Sequence, residues 1–321
     1  MPVTLKRMIQ NNPVSHAIDL VGEAWTMLIL REAFRGARQF EDWLTRLTIA
    51  RSVLARRLKA LTEAGLLEPR LYQTRPERHE YLLTQMGRDL FGVAVMLTLW
   101  EQDWSPRAET ARAVRFVRRS DGREVRPIMS GFDPRRALSP YDVTPAPGPN
   151  PDFAPRLKAI RRRRVQPAQR GASGPVELGV ELFGDYWTNL VLAAAFYRIR
   201  RYDDFLSNLD ISTSVLADRL NAMVSQGIFE KRRYRSRPER FDYVLTERGL
   251  ALYPVVLAFF AWGRRWLCPD GAAPVVLADR KTGEEVLPRL TDALTGEAID
   301  PRNVRPAPVL GHADRVRSAN A

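Results

Sequence analysis

Apolar residues in this chain recur at helical spacing, and the pattern they make is laid down twice. Val14, Ala17, Ile18 and Val21 fall three or four apart behind Pro13, a residue suited to a first helical position. Gly22 stops that helix, and Trp25 to Phe34 forms a denser apolar one. After Gly36, Phe40, Trp43, Leu44 and Leu47 share one face. A further helix is predicted from about Ala50 to Ala64, with Leu54, Leu58 and Leu61 on its buried side and Gly65 in the left-handed position that closes it. Leu66 to Tyr72 and Glu80 to Leu83 read as short strands around the polar tip QTRPERH. Thr84 then caps a last helix carrying Leu90, Leu97, Trp100 and Trp104.

The same order returns 162 positions later without a gap. Gly22/Gly184, Trp25/Trp187, Phe40/Tyr202, Leu54/Leu216, Leu58/Leu220, Gly65/Gly227, Pro76/Pro238, Tyr81/Tyr243, Thr84/Thr246, Gly87/Gly249, Trp100/Trp262 and Trp104/Trp266 all keep that spacing. Twelve pairs in register mean one duplicated unit. Three helices, a charged hairpin and a long aromatic helix read as a winged helix-turn-helix. The predicted class is α+β: two tandem winged helix-turn-helix domains, each followed by a small β-hairpin extension.

Val114 to Val117 and Glu124 to Ile128 flank SDGR as the first extension; Val275 to Leu277 and Val286 to Leu290 flank KTGE as the second. The expected domains are 1–105 and 171–268, with an extension at 106–133, a Pro/Arg-rich connector at 134–170, and an extension and tail at 269–321. Ten prolines between 106 and 167 argue against a long helix or central strand in the connector, and Arg161 to Arg164 forms an exposed basic run. Gly92 and Pro254 occupy matching places in the two last helices, where a kink is expected.

Opposite Leu54, Leu58 and Leu61, the side chains of Ser52, Arg56 and Lys59 point away from the core, where a major groove would meet them. Arg51 and Arg57 on the flanks are candidate phosphate contacts. The second copy offers Ser214, Asp218 and Asn221 for base reading, with Arg219 as the phosphate contact. Residues 50–64 carry a local charge of +3, whereas 212–226 hold only Asp218 and Arg219. The hairpins reverse that balance: 68–80 contain three basic and three acidic residues, 230–242 six and three. Candidate wing contacts are Arg75 and Arg78 in the first copy, and Arg235, Arg237 and Arg240 in the second. The first copy is thus expected to read bases through its helix, the second to hold backbone through its wing.

Fifty Lys and Arg against 37 Asp and Glu give a net charge of +13, which favours a polyanionic partner. One cysteine, Cys268, excludes an internal disulfide framework and a cysteine zinc cluster and fits a reducing cytoplasm. No secretory signal or membrane span is evident. His16, His79 and His312 are widely spaced and Cys268 has no adjacent base, so neither catalysis, nor a metal, nor a cofactor is expected. Trp100, Trp104, Trp262 and Trp266 exceed what a small domain needs internally and suggest pairing of the two domains or of two chains. Trp25, Phe34, Trp187 and Phe196 could line a pocket for a small-molecule effector, although such residues usually form core.

The strings PVSHAIDLVGEAWTMLILREAFRGARQFEDW, ARSVLARRLKALTEAGLLEPRLY and RPERHEYLLTQMGRDL, with FGDYWTNLVL, STSVLADRLNAMVSQGIFEKRRY and RPERFDYVLTERG in the second copy, resemble the HxlR-type bacterial winged-helix transcription regulators. The resemblance implies double-stranded DNA binding by helices 50–64 and 212–226, wings near 73–79 and 235–241, and dimerisation through first and last helices. It also implies a cysteine just before the Pro-Val of the first helix in oxidant-sensing members; those places hold Asn12 and Gly174 here. Most members carry one domain and pair as homodimers, whereas this chain carries two. Two readings follow: a cytoplasmic repressor with two non-equivalent winged helices on an imperfect palindrome, or a chain whose first domain alone reads DNA while the second serves dimerisation or sensing.

Overall fold

The computed structural model describes residues 3–104, 114–153, 179, 182–237, 239–268 and 272–309. The first unit runs α1 (Leu5–Gln10), α2 (Pro13–Val21), α3 (Ala24–Phe34), α4 (Phe40–Leu47), α5 (Arg51–Glu63), β1 (Leu67–Thr74), β2 (Glu77–Leu83), α6 (Gln85–Arg88) and α7 (Phe91–Trp104). Strands β3 (Val114–Arg118), β4 (Glu124–Val125), β5 (Pro127–Ser130) and β6 (Val143–Pro147) follow. The second unit repeats the layout as α8 (Tyr186–Phe196), α9 (Tyr202–Leu209), α10 (Thr213–Ser225), β7 (Phe229–Ser236), β8 (Glu239–Leu245), α11 (Glu247–Leu250) and α12 (Tyr253–Trp266). Strands β9 (Val275–Asp279), β10 (Arg289–Asp292) and β11 (Val304–Pro308) complete the described chain.

Local chemistry accounts for the helix ends. Asn12 accepts the N–H groups of Val14 and Ser15, and Pro13 takes the first turn of α2, where no N–H is needed. Glu23 caps α3 by accepting from Thr26, and Asp185 caps α8 by accepting from Thr188. Ser212 caps α10, whereas Ala50 gives α5 no side-chain cap. Gly65 and Gly227 stand at φ 74° and 69°, a conformation that L side chains resist, and each ends its reading helix.

Two differences from the sequence expectation have simple causes. The last helix is not kinked but divided: α6 stops at Arg88 and α7 starts at Phe91, and α11 and α12 part in the same way. Pro254 falls in the first turn of α12, where its missing N–H costs nothing, so the chain restarts there instead of bending. Helix α1, which no periodicity announced, lies ahead of Pro13 and packs on the second unit.

The extensions are exchanged between the units. β3 pairs with β11, β6 pairs with β9, and β5 pairs with β10, each antiparallel. The expected hairpins survive in short form, as a two-residue ladder between β3 and β4 and as a single bridge between Ala278 and Glu285. In the second extension the strand lies at Arg289–Asp292, a little beyond the expected 286–290. The connector assigned to 134–170 contains β6, which corrects that boundary; a strand with one neighbour leaves one edge open, and such edges tolerate proline. The remaining boundaries at 105/106, 170/171 and 268/269 touch residues outside those described, as does the Arg161 to Arg164 run.

Candidate nucleic-acid interface

Helix α5 is anchored by Leu54, Leu58 and Leu61, each fully buried, and α10 by Leu216, Leu220 and Met223. Burying one such side chain is worth about 1.5–3 kcal/mol, which fixes which face turns outward. Ser52, Arg56 and Lys59 are exposed on α5, as are Ser214, Asp218 and Asn221 on α10. Arg56 carries no ion pair among the described residues. Lys59 lies 4.0 Å from Glu63, and Arg51 pairs with Glu41 at 2.8 Å while stacking over Phe40.

Arg57 and Arg219 require a correction. Both were expected on the flank of the reading helix, free for phosphate; both turn inward. Arg57 Nη2 lies 2.9 Å from Glu23 Oε1 with only 11% of its side chain exposed, and Arg219 makes two bonds to Asp185, of 2.7 and 3.1 Å. Burial pulls the Arg57 guanidinium below its ordinary pKa, and the Glu23 carboxylate opposes that shift. Their place in the helical repeat, one residue from the outward Arg56 and Asp218, swings them toward the N-terminal ends of α3 and α8.

The wings are longer than the sequence pattern implied. β1 and β2 pair from Leu67↔Leu83 to Thr74↔Glu77, so only Arg75 and Pro76 remain at the tip. Each hairpin has an irregularity, at Tyr72 and at Tyr234, and both tyrosines are exposed. In the second wing Arg232, Arg233 and Arg240 are engaged with Glu230, Glu239 and Asp203. Arg75, Arg78, Arg235 and Arg237 are exposed and form no ion pair among the described residues. Pro238 lies outside those residues.

The tryptophans bind the two units together reciprocally. Trp100 Nε1 donates to the Arg248 carbonyl at 3.0 Å, and Trp262 Nε1 donates to the Met86 carbonyl at 2.9 Å. Both donors and both acceptors are 162 positions apart, so the two bonds are images of each other. Trp266 Nε1 adds a bond to Asp89 at 3.0 Å, which Arg265 also pairs at 3.2 Å. The position matching Asp89 in the second unit is Ala251, so Trp104 has no equivalent carboxylate and packs half-buried against the core. A Cβ on Gly263 of α12 would stand 2.2 Å from the Pro13 carbonyl oxygen, so α2 and α12 meet backbone to backbone. Helix α1 reaches the turn between α9 and α10, where Lys6 pairs with Asp210 at 2.6 Å and Gln10 donates to Asn208 and Asp210.

The expected effector pocket takes a different form. Trp25, Phe34 and Trp187 pack half-buried against the core, while Phe196 borders a cavity of about 50 Å³ with Tyr197, Tyr253, Phe260 and Leu277. Drug-sized ligands need about 300 Å³ or more. In the first unit the matching volume is filled by Phe34, Phe91 and Phe116, whose rings meet edge to face at 5.8 and 6.4 Å. Leu277 stands where the first unit has Phe116. Leu277→Phe is therefore expected to raise stability by roughly 1 kcal/mol, from about 24 cal/mol per Å³ of cavity, read as a higher urea midpoint at unchanged slope.

Two titratable groups, the buried Cys268 and the half-buried His16, stand apart from the interface. The Cys268 thiol is pushed up to about 11 by burial, which keeps it protonated and unreactive at neutral pH. His16 on α2 is held at about 4 instead of 6.5, again by burial. Because the folded state binds the His16 proton less readily, this site leaves stability intact above pH 6.5 and subtracts from it as pH falls from 6.5 through about 4. His16→Leu, the residue at the matching position 178, should remove that part of the acid sensitivity in urea titrations between pH 7 and 4.

Comparison with known proteins agrees with this geometry. The family model described as HxlR-like helix-turn-helix matches residues 20–109 and 182–270, together more than half of the chain. The chain therefore belongs to the HxlR family of helix-turn-helix transcriptional regulators, with the domain present twice. An uncharacterized HTH-type transcriptional regulator of Mycobacterium tuberculosis, Rv3095, is 39% identical over 145 residues, 45% of this chain and 91% of its own. Another from Synechocystis, sll1512, is 33% identical over 93 residues, covering 29% and 69%. Among the described residues no helix is long and apolar enough to cross a membrane, and no metal-binding cluster is found.

Proposed function

We propose that this regulator is a repressor that occludes its promoter, setting both winged helices of one chain on one duplex. Two copies of a single-domain relative would supply such a pair as a homodimer; here the reciprocal bonds of Trp100 and Trp262 supply it within the chain. That pairing, with both reading faces left exposed, is the observation that carries the reading. The faces differ: Ser52, Arg56 and Lys59 against Ser214, Asp218 and Asn221. Arg or Lys pairs well with guanine edges and Asp accepts from cytosine N4, so unequal half-sites follow, an imperfect palindrome. Arg51, with Arg75 and Arg78, would hold backbone on one side, and Arg235, Arg237 and Arg240 on the other. Such a protein acts in the cytoplasm and needs no cofactor.

A hydroxyl-radical footprint on the upstream intergenic DNA tests this. Two protected patches about one helical turn apart, roughly 34–36 Å, are expected. A single patch would favour the second reading, in which the neutral α10 has left base recognition and the second unit serves pairing or sensing.

A further inference from the structure

Each unit contains the same three-residue clasp between its core and its reading helix. In the first, Glu23 accepts both the N–H and the hydroxyl of Thr26, at 3.0 and 3.2 Å, and pairs with Arg57 at 2.9 Å. In the second, Asp185 accepts both groups of Thr188, each at 2.9 Å, and holds Arg219 through two bonds. One carboxylate thus caps the core helix and grips the reading helix behind its outward face. Arg56 and Lys59 on the outward face give way to Asp218 and Asn221 in the second unit while this partly buried set recurs, with only Glu exchanged for Asp. Apolar packing through Leu54, Leu58 and Leu61 decides which face of α5 turns inward, but, being non-directional, it holds the fine angle of roll less tightly than a directed bond does. A charge-assisted bond has direction, and here it acts one residue from Arg56.

We infer that Arg57 and Arg219 are positioning residues that fix the roll of the reading helices, and that they do not contact phosphate. This rests on the groove reading given above. Base contacts tolerate little misplacement, so loss of the clasp lowers discrimination before it lowers general attraction to DNA.

The full-length chain is compared with Glu23→Gln, Arg57→Met and Glu23→Asp on its upstream duplex and on a scrambled duplex, over a range of salt. Glu23→Gln and Arg57→Met are expected to cut the ratio of specific to scrambled affinity about tenfold, the size of one lost base contact, with an unchanged salt slope. Glu23→Asp, which carries the carboxylate used in the second unit, keeps the ratio. Thermal melts confirm that each variant is folded; if Glu23→Gln is not, Asp185→Asn and Arg219→Met apply the same test to the second unit. A salt slope reduced by about 1 in Arg57→Met would mean a phosphate contact and overturn the inference. So would an unchanged ratio in folded Glu23→Gln. A wild-type chain that shifts no duplex at low salt would overturn the groove reading itself, and this role with it.

Discussion

Trp262→Ala is expected to lower the free energy of unfolding by about 3–5 kcal/mol, the cost of truncating a buried Trp. Trp262 is 3% exposed, and its indole N–H satisfies the Met86 carbonyl of the other unit. Removal leaves both a cavity and an unpaired carbonyl, and the latter alone costs about 1–3 kcal/mol when buried. Trp100→Ala should behave alike, because Trp100 makes the mirror bond to Arg248. The two variants share one interface, so their effects should combine non-additively in urea titrations. Losses below about 1 kcal/mol would mean that the tryptophans do not join the units.

Arg56→Ala is expected to cost about 1–3 kcal/mol on the specific duplex and to relax base preference in the half-site it faces. Arg237→Ala should weaken every duplex alike and reduce the salt slope by about 1, because its exposed guanidinium stands on a wing rather than a reading face. Quantitative gel shifts on a set of single-base variants separate the two patterns. Equal behaviour of both variants would remove the assigned division between helix and wing.

The duplication and the faces of the reading helices were legible in the chain because they depend on local spacing alone. Leu54, Leu58 and Leu61 point inward wherever a helix of that sequence meets a core. What the spacing could not give was the partner of a residue near the edge of the apolar face. Arg57 reads as a flanking cation until Glu23, 34 positions earlier, is brought against it. A signal was present: Glu23/Asp185, Thr26/Thr188 and Arg57/Arg219 all keep the 162 spacing, and an acid matched to an acid, with an arginine matched to an arginine, hints at a pair.

Strand exchange lay further out of reach. Val143–Pro147 and Val304–Pro308 are similar proline-bearing segments, and only the meeting of the two units makes them edge strands for β9 and β3. Local propensity counts Pro145 and Pro147 against a strand, yet an edge with a single neighbour accepts them. Helix α1 was hidden for a related reason. Its contacts, Lys6 with Asp210 and Gln10 with Asn208, lie about 200 residues away, and six residues are too few for a clear period.

If one chain holds the full pair of winged helices, the mass of its complex with the upstream duplex decides the matter. Light scattering coupled to size exclusion should return one chain plus one duplex, with two protected patches on that same species. A complex containing two chains for a single pair of patches, or no complex at low salt, would contradict it.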